Sequence, residues 1–239
     1  MDVYAITALF LANLAIAGGA AAQASIGLGL NLFAVPILAL IDPVYVPGPV
    51  LLHSFLVASA ASFRSRADID LGELGISAAG LLAGTAIAAL LLMQLDPTHL
   101  PRAFGVLVVA AVALTAAGYR VAITRPNLVA ASSAAGIMGT IAGVHGPPIA
   151  LLYQYESPQR IRSALLPFFA IANLISLLAL GAIGMLGWRH IEASALLLPG
   201  LAVGFLSASW LVRVMSARTI RACILAISGV SGLALSLSG

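Results

Sequence analysis

The chain has 239 residues, of which 62% are hydrophobic and only 8% charged, with a mean hydropathy of +1.11. A soluble domain carries about 25% charged residues, so this composition cannot assemble a water-facing surface and lipid must be its solvent. The net charge is +3, carried by scattered arginines with no basic block, which excludes nucleic acid, and the single cysteine, Cys223, excludes a disulfide framework or a CxxC pair.

In chain order, the first apolar stretch is 3–17. Its continuation to Gln23-Ala24 resembles a signal-peptide cleavage site, but Asp2 is the only charge ahead of it, so it is expected to stay as a mature helix. A Gly-rich break over Gly18–Asn31 follows, holding Gln23, Ser25, Gly27, Gly29 and Asn31. Segments 32–41, 47–63, 74–94 and 102–119 complete the first half; His53 lies in the second of these and Gly80xxxGly84 in the third. The second half reads 128–142, 147–155, 163–185, 194–212 and 219–237, with a break at Gly143–Gly146 before Pro147 and Pro148. A membrane span needs about 20 apolar residues, so 147–155 can be only a half-helix.

The two halves correspond. Gly80-Leu-Leu-Ala-Gly84 recurs as Gly200-Leu-Ala-Val-Gly204, Arg102-Ala103 as Arg221-Ala222, and Gly27-Leu-Gly29 aligns with Gly143-Val-His145. The expectation is two five-segment repeats, 1–119 and 120–239, forming one membrane domain. Arginine placement sets their relative orientation. If each broken pair turns back to the side it entered from, one face holds Arg64, Arg66, Arg120, Arg125, Arg160, Arg162, Arg213, Arg218 and Arg221, and the other only Arg102 and Arg189. If it crosses, the bias nearly vanishes. The positive-inside rule therefore favours hairpins, an odd number of crossings per half, and inverted repeats whose Gly-rich breaks meet near the midplane.

Non-helical backbone at membrane depth survives only where it is buried or lines a cavity. The two breaks are thus the expected binding site: Gln23, Ser25, Gly27, Gly29 and Asn31 in one, Gly143, His145, Gly146, Pro147 and Pro148 in the other. Helix starts present free N–H groups that favour anions. His53 and Asn173 are added because both lie mid-segment and face one interior: Asn173 aligns with Val57, one turn beyond His53. No Asp or Glu lies mid-span, so a cation is not the expected cargo. No metal-ligating, cofactor-binding or catalytic pattern is present, and neither cofactor nor catalytic residue is assigned.

Gly27-Leu-Gly29-Leu-Asn31-Leu-Phe-Ala-Val-Pro36 and Gly139-Thr-Ile-Ala-Gly143-Val-His145-Gly-Pro-Pro148 resemble the paired signatures of the TauE/SafE sulfite-exporter family, with Leu30 and Asn31 where the family usually has Gly. The resemblance covers the whole chain. It implies a multi-pass plasma (inner) membrane carrier for sulfite, organosulfonates or related sulfur-containing anions. The expected partners are a small anion and the lipid bilayer, with protons a candidate coupling ion and self-association left open. An anion channel or a non-catalytic membrane subunit is the alternative.

Overall fold

The computed structural model describes residues 3–64 and 68–237; Arg66 lies outside them. The regular structure of the described residues is helical, in ten α-helices joined by short loops: α1 Val3–Ile26, α2 Leu30–Ile41, α3 Gly48–Arg64, α4 Leu71–Leu92, α5 Leu100–Ala116, α6 Arg125–Ala142, α7 Gly146–Tyr153, α8 Pro158–Ala182, α9 Trp188–Val214 and α10 Ala217–Leu237. Six stretches are long and apolar enough to cross a membrane: Tyr4–Ile26, Pro43–Phe63, Leu71–Leu92, Pro158–Ala182, Trp188–Val214 and Ala217–Leu237. At 1.5 Å per residue, α7 reaches only about 12 Å of a roughly 30 Å hydrocarbon core. Large apolar side chains such as Phe10, Leu178, Leu206, Trp210 and Val230 are exposed around the outside, which suits lipid contact and would be untenable in water.

One expectation is corrected. The first break does not extend over Gly18–Asn31, because α1 stays helical to Ile26 and only Gly27–Gly29 interrupts the chain. Gly18 and Gly19 are contact points instead. A Cβ at Gly19 would lie 2.9 Å from the Leu30 carbonyl oxygen, and one at Gly18 3.0 Å from the Phe33 ring, so their bareness lets α2 fold back against α1. The surrounding alanines supply helix propensity that outweighs two glycines. The true breaks use left-handed backbone at Gly27 (φ +86°) and Gly143 (φ +77°), where a Cβ would be strained. At α6, the Gly143 N–H donates to the Gly139 carbonyl at 2.7 Å and the Val144 N–H to Met138 at 3.4 Å, closing the helix end.

Helix pairings come in matching sets, each with a partner set five elements on. α1 packs on α9 as α6 packs on α4; α2 on α10 as α7 on α5; α3 on α9 as α8 on α4; and α3–α8 and α5–α10 match themselves. The glycine pairs act alike. In α4, Gly80 and Gly84 lie against the backbone of Val129 and Ser133; in α9, Gly200 and Gly204 lie against Asn13 and Ala17. Near Pro199, which has no N–H, the Asn13 amide enters the helical ladder: Nδ2 donates to Leu196 O at 3.1 Å, and Oδ1 accepts from Gly200 N at 2.8 Å.

The loops sort to two ends. At one, Asp68 accepts from Gln159 (3.0 Å), Glu73 pairs with Arg160 (2.6 Å), Tyr155 reaches Gly118 O (2.6 Å) and Arg221 reaches Gln154 (3.2 Å). Arg120 stacks on the Tyr155 ring there, 4.5 Å from its centroid. At the other end Gly48 lies against Leu186 and His190. The loops containing 68–73, 117–120, 154–160 and the start of α10 therefore lie at one end of the molecule.

Candidate functional site

The two breaks face a cavity of about 70 Å³. A cavity needs roughly 10–15 Å³ to hold one water, so there is room for a small anion with its first partners. The walls run from Gln23, Gly29, Asn31, Ser54 and His145, deep between the helices, to Thr115, Tyr153, Gln154 and Arg221 at the arginine-rich end. Among the described residues no carboxylate lines it. Arg221 donates to Thr115 O at 3.0 Å and to Gln154 Oε1 at 3.2 Å, both neutral acceptors, so no carboxylate among the described residues compensates its charge at the mouth.

Two helix starts meet the cavity, with unequal donor sets. At α2 the N–H groups of Gly29, Leu30, Asn31 and Leu32 have no acceptor among the described residues. At α7, Pro147 and Pro148 do occupy the first turn, as expected, but neither carries an N–H. Two of the donors expected of that helix start are therefore missing, and α2 presents the fuller set.

Two buried hydrogen-bond networks tie the site to its surroundings. His145, 1% exposed, places Nε2 3.0 Å from Ser176 Oγ; Ser176 lies 2.8 Å from Thr140 Oγ1, which donates to Thr85 Oγ1 at 3.2 Å. The imidazole sits where a side chain at Gly139 would be, so that glycine makes the ring's position possible. In the second network Asn173 Nδ2 donates to Phe169 O (2.6 Å) and Ser54 Oγ (3.0 Å), and Ser54 donates to Gln23 Oε1 (3.2 Å). Asn31 Nδ2 donates to Gly143 O (2.5 Å) and Asn173 Oδ1 (3.4 Å), joining the first break to the second.

Of the residues singled out from the sequence, Gln23, Gly29, Asn31, His145, Gly146 and Pro147 line the cavity. Asn173 and Gly143 stand behind it through Asn31, and Pro148 is buried in the first turn of α7. Gly27 packs against Arg162 instead. Ser25 is turned away: its hydroxyl donates to Ala208 O at 2.9 Å, and its carbonyl accepts from Arg162 at 2.7 Å beside a separate hollow. His53 is fully buried in α3 with Nδ1 2.6 Å from Pro49 O, and is not a wall residue. The sequence reading missed Ser54, Thr85, Thr140 and Ser176, although mid-span hydroxyls on four helices were a visible signal. It also used Arg221 only for topology and for the match between the two halves, not as a wall residue.

The family model described as sulfite exporter TauE/SafE matches residues 11–235. No curated protein and no solved structure matches the chain. The match takes in both breaks, every residue that lines the cavity and all but the outermost residues of the chain, and the chain belongs to the TauE/SafE sulfite exporter family.

Proposed function

We propose that the protein is a secondary transporter of the plasma membrane, not an enzyme, that moves a small sulfur-containing anion such as sulfite or an organosulfonate by alternating access. The observation that carries this reading is the cavity itself. It joins unpaired backbone N–H groups at the start of α2 to Arg221, with no carboxylate among the described residues in its walls or paired with that charge. Helix-start donors are fixed by the fold and need no reorganisation to meet an anion. The family's name points to the same class of cargo.

The scaffold is read as two inverted repeats, 1–119 and 120–239. Support comes from the matched helix pairings, the equivalent glycine contacts and the left-handed glycines at both breaks. The cavity is lined toward the arginine-rich end and not toward the end holding Gly48 and Leu186, as one state of an alternating-access cycle would be. By the positive-inside rule that end faces the cytoplasm.

Counterflow in proteoliposomes tests the reading. Vesicles preloaded with unlabelled sulfite should transiently accumulate labelled sulfite, because a carrier exchanges cargo across one site. Flux without counterflow would make the protein a channel. Neither flux nor binding with sulfite or with any small sulfonate would remove the anion assignment.

A further inference from the structure

The hydrogen-bond directions around the cavity settle which hydrogens are left for a ligand. Thr140 donates its only hydroxyl hydrogen to Thr85, so in the 2.8 Å contact Ser176 is the donor and Thr140 the acceptor. With its own hydrogen spent, Ser176 Oγ accepts from His145 Nε2. A neutral imidazole protonated on Nε2 has a lone pair on Nδ1. That Nδ1 is buried and has no partner. A side chain at a helix start ordinarily accepts from the second or third N–H of the helix. Here those positions are Pro147 and Pro148, so the helix has nothing to offer.

The second network has the same outcome. Asn31 spends both amide hydrogens, on Gly143 O and Asn173 Oδ1, and Asn173 spends both of its own on Phe169 O and Ser54 Oγ. Asn31 Oδ1 is left buried without a partner. Two residues of the cavity wall thus each keep an orphaned acceptor, while the donors left over are the α2 N–H groups and the Arg221 N–H groups other than those of the one nitrogen spent on Thr115 O and Gln154 Oε1.

We propose that the cavity selects a small oxyanion that carries its own hydrogen-bond donor, such as hydrogensulfite or a hydroxyalkanesulfonate, over one that carries none. The charged oxygens face the start of α2 and Arg221, and the ligand's hydrogen faces His145 Nδ1 or Asn31 Oδ1. A bare oxyanion would set lone pairs against lone pairs at both. Ser176 is then a positioning residue, because it holds the ring in the accepting tautomer. The inference rests on the cavity being the anion site, and it places the hydrogen on the cargo.

Titration calorimetry on the full chain in nanodiscs tests this with three probes. Methanesulfonate has no donor, hydroxymethanesulfonate keeps one at every working pH, and sulfite gains one only when protonated. Hydroxymethanesulfonate is expected to bind about tenfold tighter than methanesulfonate, the cost of one unsatisfied buried acceptor. Affinity per total sulfite should fall about tenfold per pH unit once the pH passes that anion's own last ionisation, while hydroxymethanesulfonate stays flat. In Ser176→Ala the ring can carry its hydrogen on Nδ1, so the preference for hydroxymethanesulfonate should shrink at least about threefold. A purely structural loss would weaken both probes alike and leave the ratio standing, which would overturn the role given to Ser176. Equal wild-type binding of the two sulfonates overturns the selection and leaves the transport reading intact. Weakening of hydroxymethanesulfonate in step with sulfite also overturns it, because a protein group would then be titrating. Binding of none of the three removes the anion site and this inference together.

Discussion

Among the described residues Arg221 pairs with no carboxylate, and one of its terminal nitrogens donates to a carbonyl and an amide oxygen at the cavity mouth. A hydrogen bond from a charged donor is worth about 1.5–3 kcal/mol, so Arg221→Ala should weaken anion binding by about tenfold or more, with Arg221→Lys intermediate. Calorimetry on both variants checks it, and unchanged affinity would move the anion deeper, toward the start of α2. A second residue-scale prediction concerns the floor beneath His145. Gly139→Ala puts a methyl group where the imidazole lies. Overpacking of this kind costs about 1–3 kcal/mol and should displace the ring from Ser176. Thermal unfolding should show the loss of stability, and binding should fall in parallel. If both stay at wild-type values, the ring has room to move and its tautomer is not held. The hydroxyls of Thr85, Thr140 and Ser176 were visible in the sequence, but their connection was not. They come from three helices, and each makes sense only once the other two are in place.

At the scale of elements, helix association in lipid depends on close backbone approach, because the solvent is as apolar as the side chains. Gly84 and Gly204 are the tightest such points: an added Cβ would meet the backbone carbonyl of Ser133 in one case and of Ala17 in the other. Gly84→Leu or Gly204→Leu should therefore separate α4 from α6, or α1 from α9, and lower the yield of folded protein by size-exclusion profile and thermal unfolding. Normal folding of both would mean that the helices pack at greater distance than the structure gives. The recurrence of Gly-xxx-Gly was legible in the sequence because it is a local spacing. Gly18 and Gly19 show the limit of the same reasoning. They looked like chain breakers, yet they serve contact with Leu30 and Phe33 of α2, and nothing in the run of residues 18–26 itself distinguishes the two uses.

For the molecule as a whole, contacts such as Gln159 to Asp68 and Arg160 to Glu73 gather the arginine-rich loops at one end. With exposed Cys223 replaced by serine, cysteines introduced at Asp68 and Gln159 should react with an impermeant reagent only from the cytoplasmic side. Cysteines at Thr98 and Arg189 should react only from the opposite side. Labelling of 68 and 159 from opposite sides would remove both the hairpin topology and the inverted relation of the halves.

The sequence by itself determined that this is a membrane protein, the order of the ten α-helices found among the described residues, and that the chain breaks once in each half near a glycine pair. Those properties follow from composition, from the length of apolar runs and from glycine and proline placement, all of which act within a few residues. Tertiary structure alone decided that the first break is three residues wide, that His53 and Ser25 stand off the cavity, and that Arg221 guards its mouth. It also decided which atoms at the site remain unpaired. Hydrogen-bond direction at Asn31 is set by Gly143 and Asn173, the latter 142 residues away, and a donor's commitment is known only when its acceptors have been brought to it by the fold.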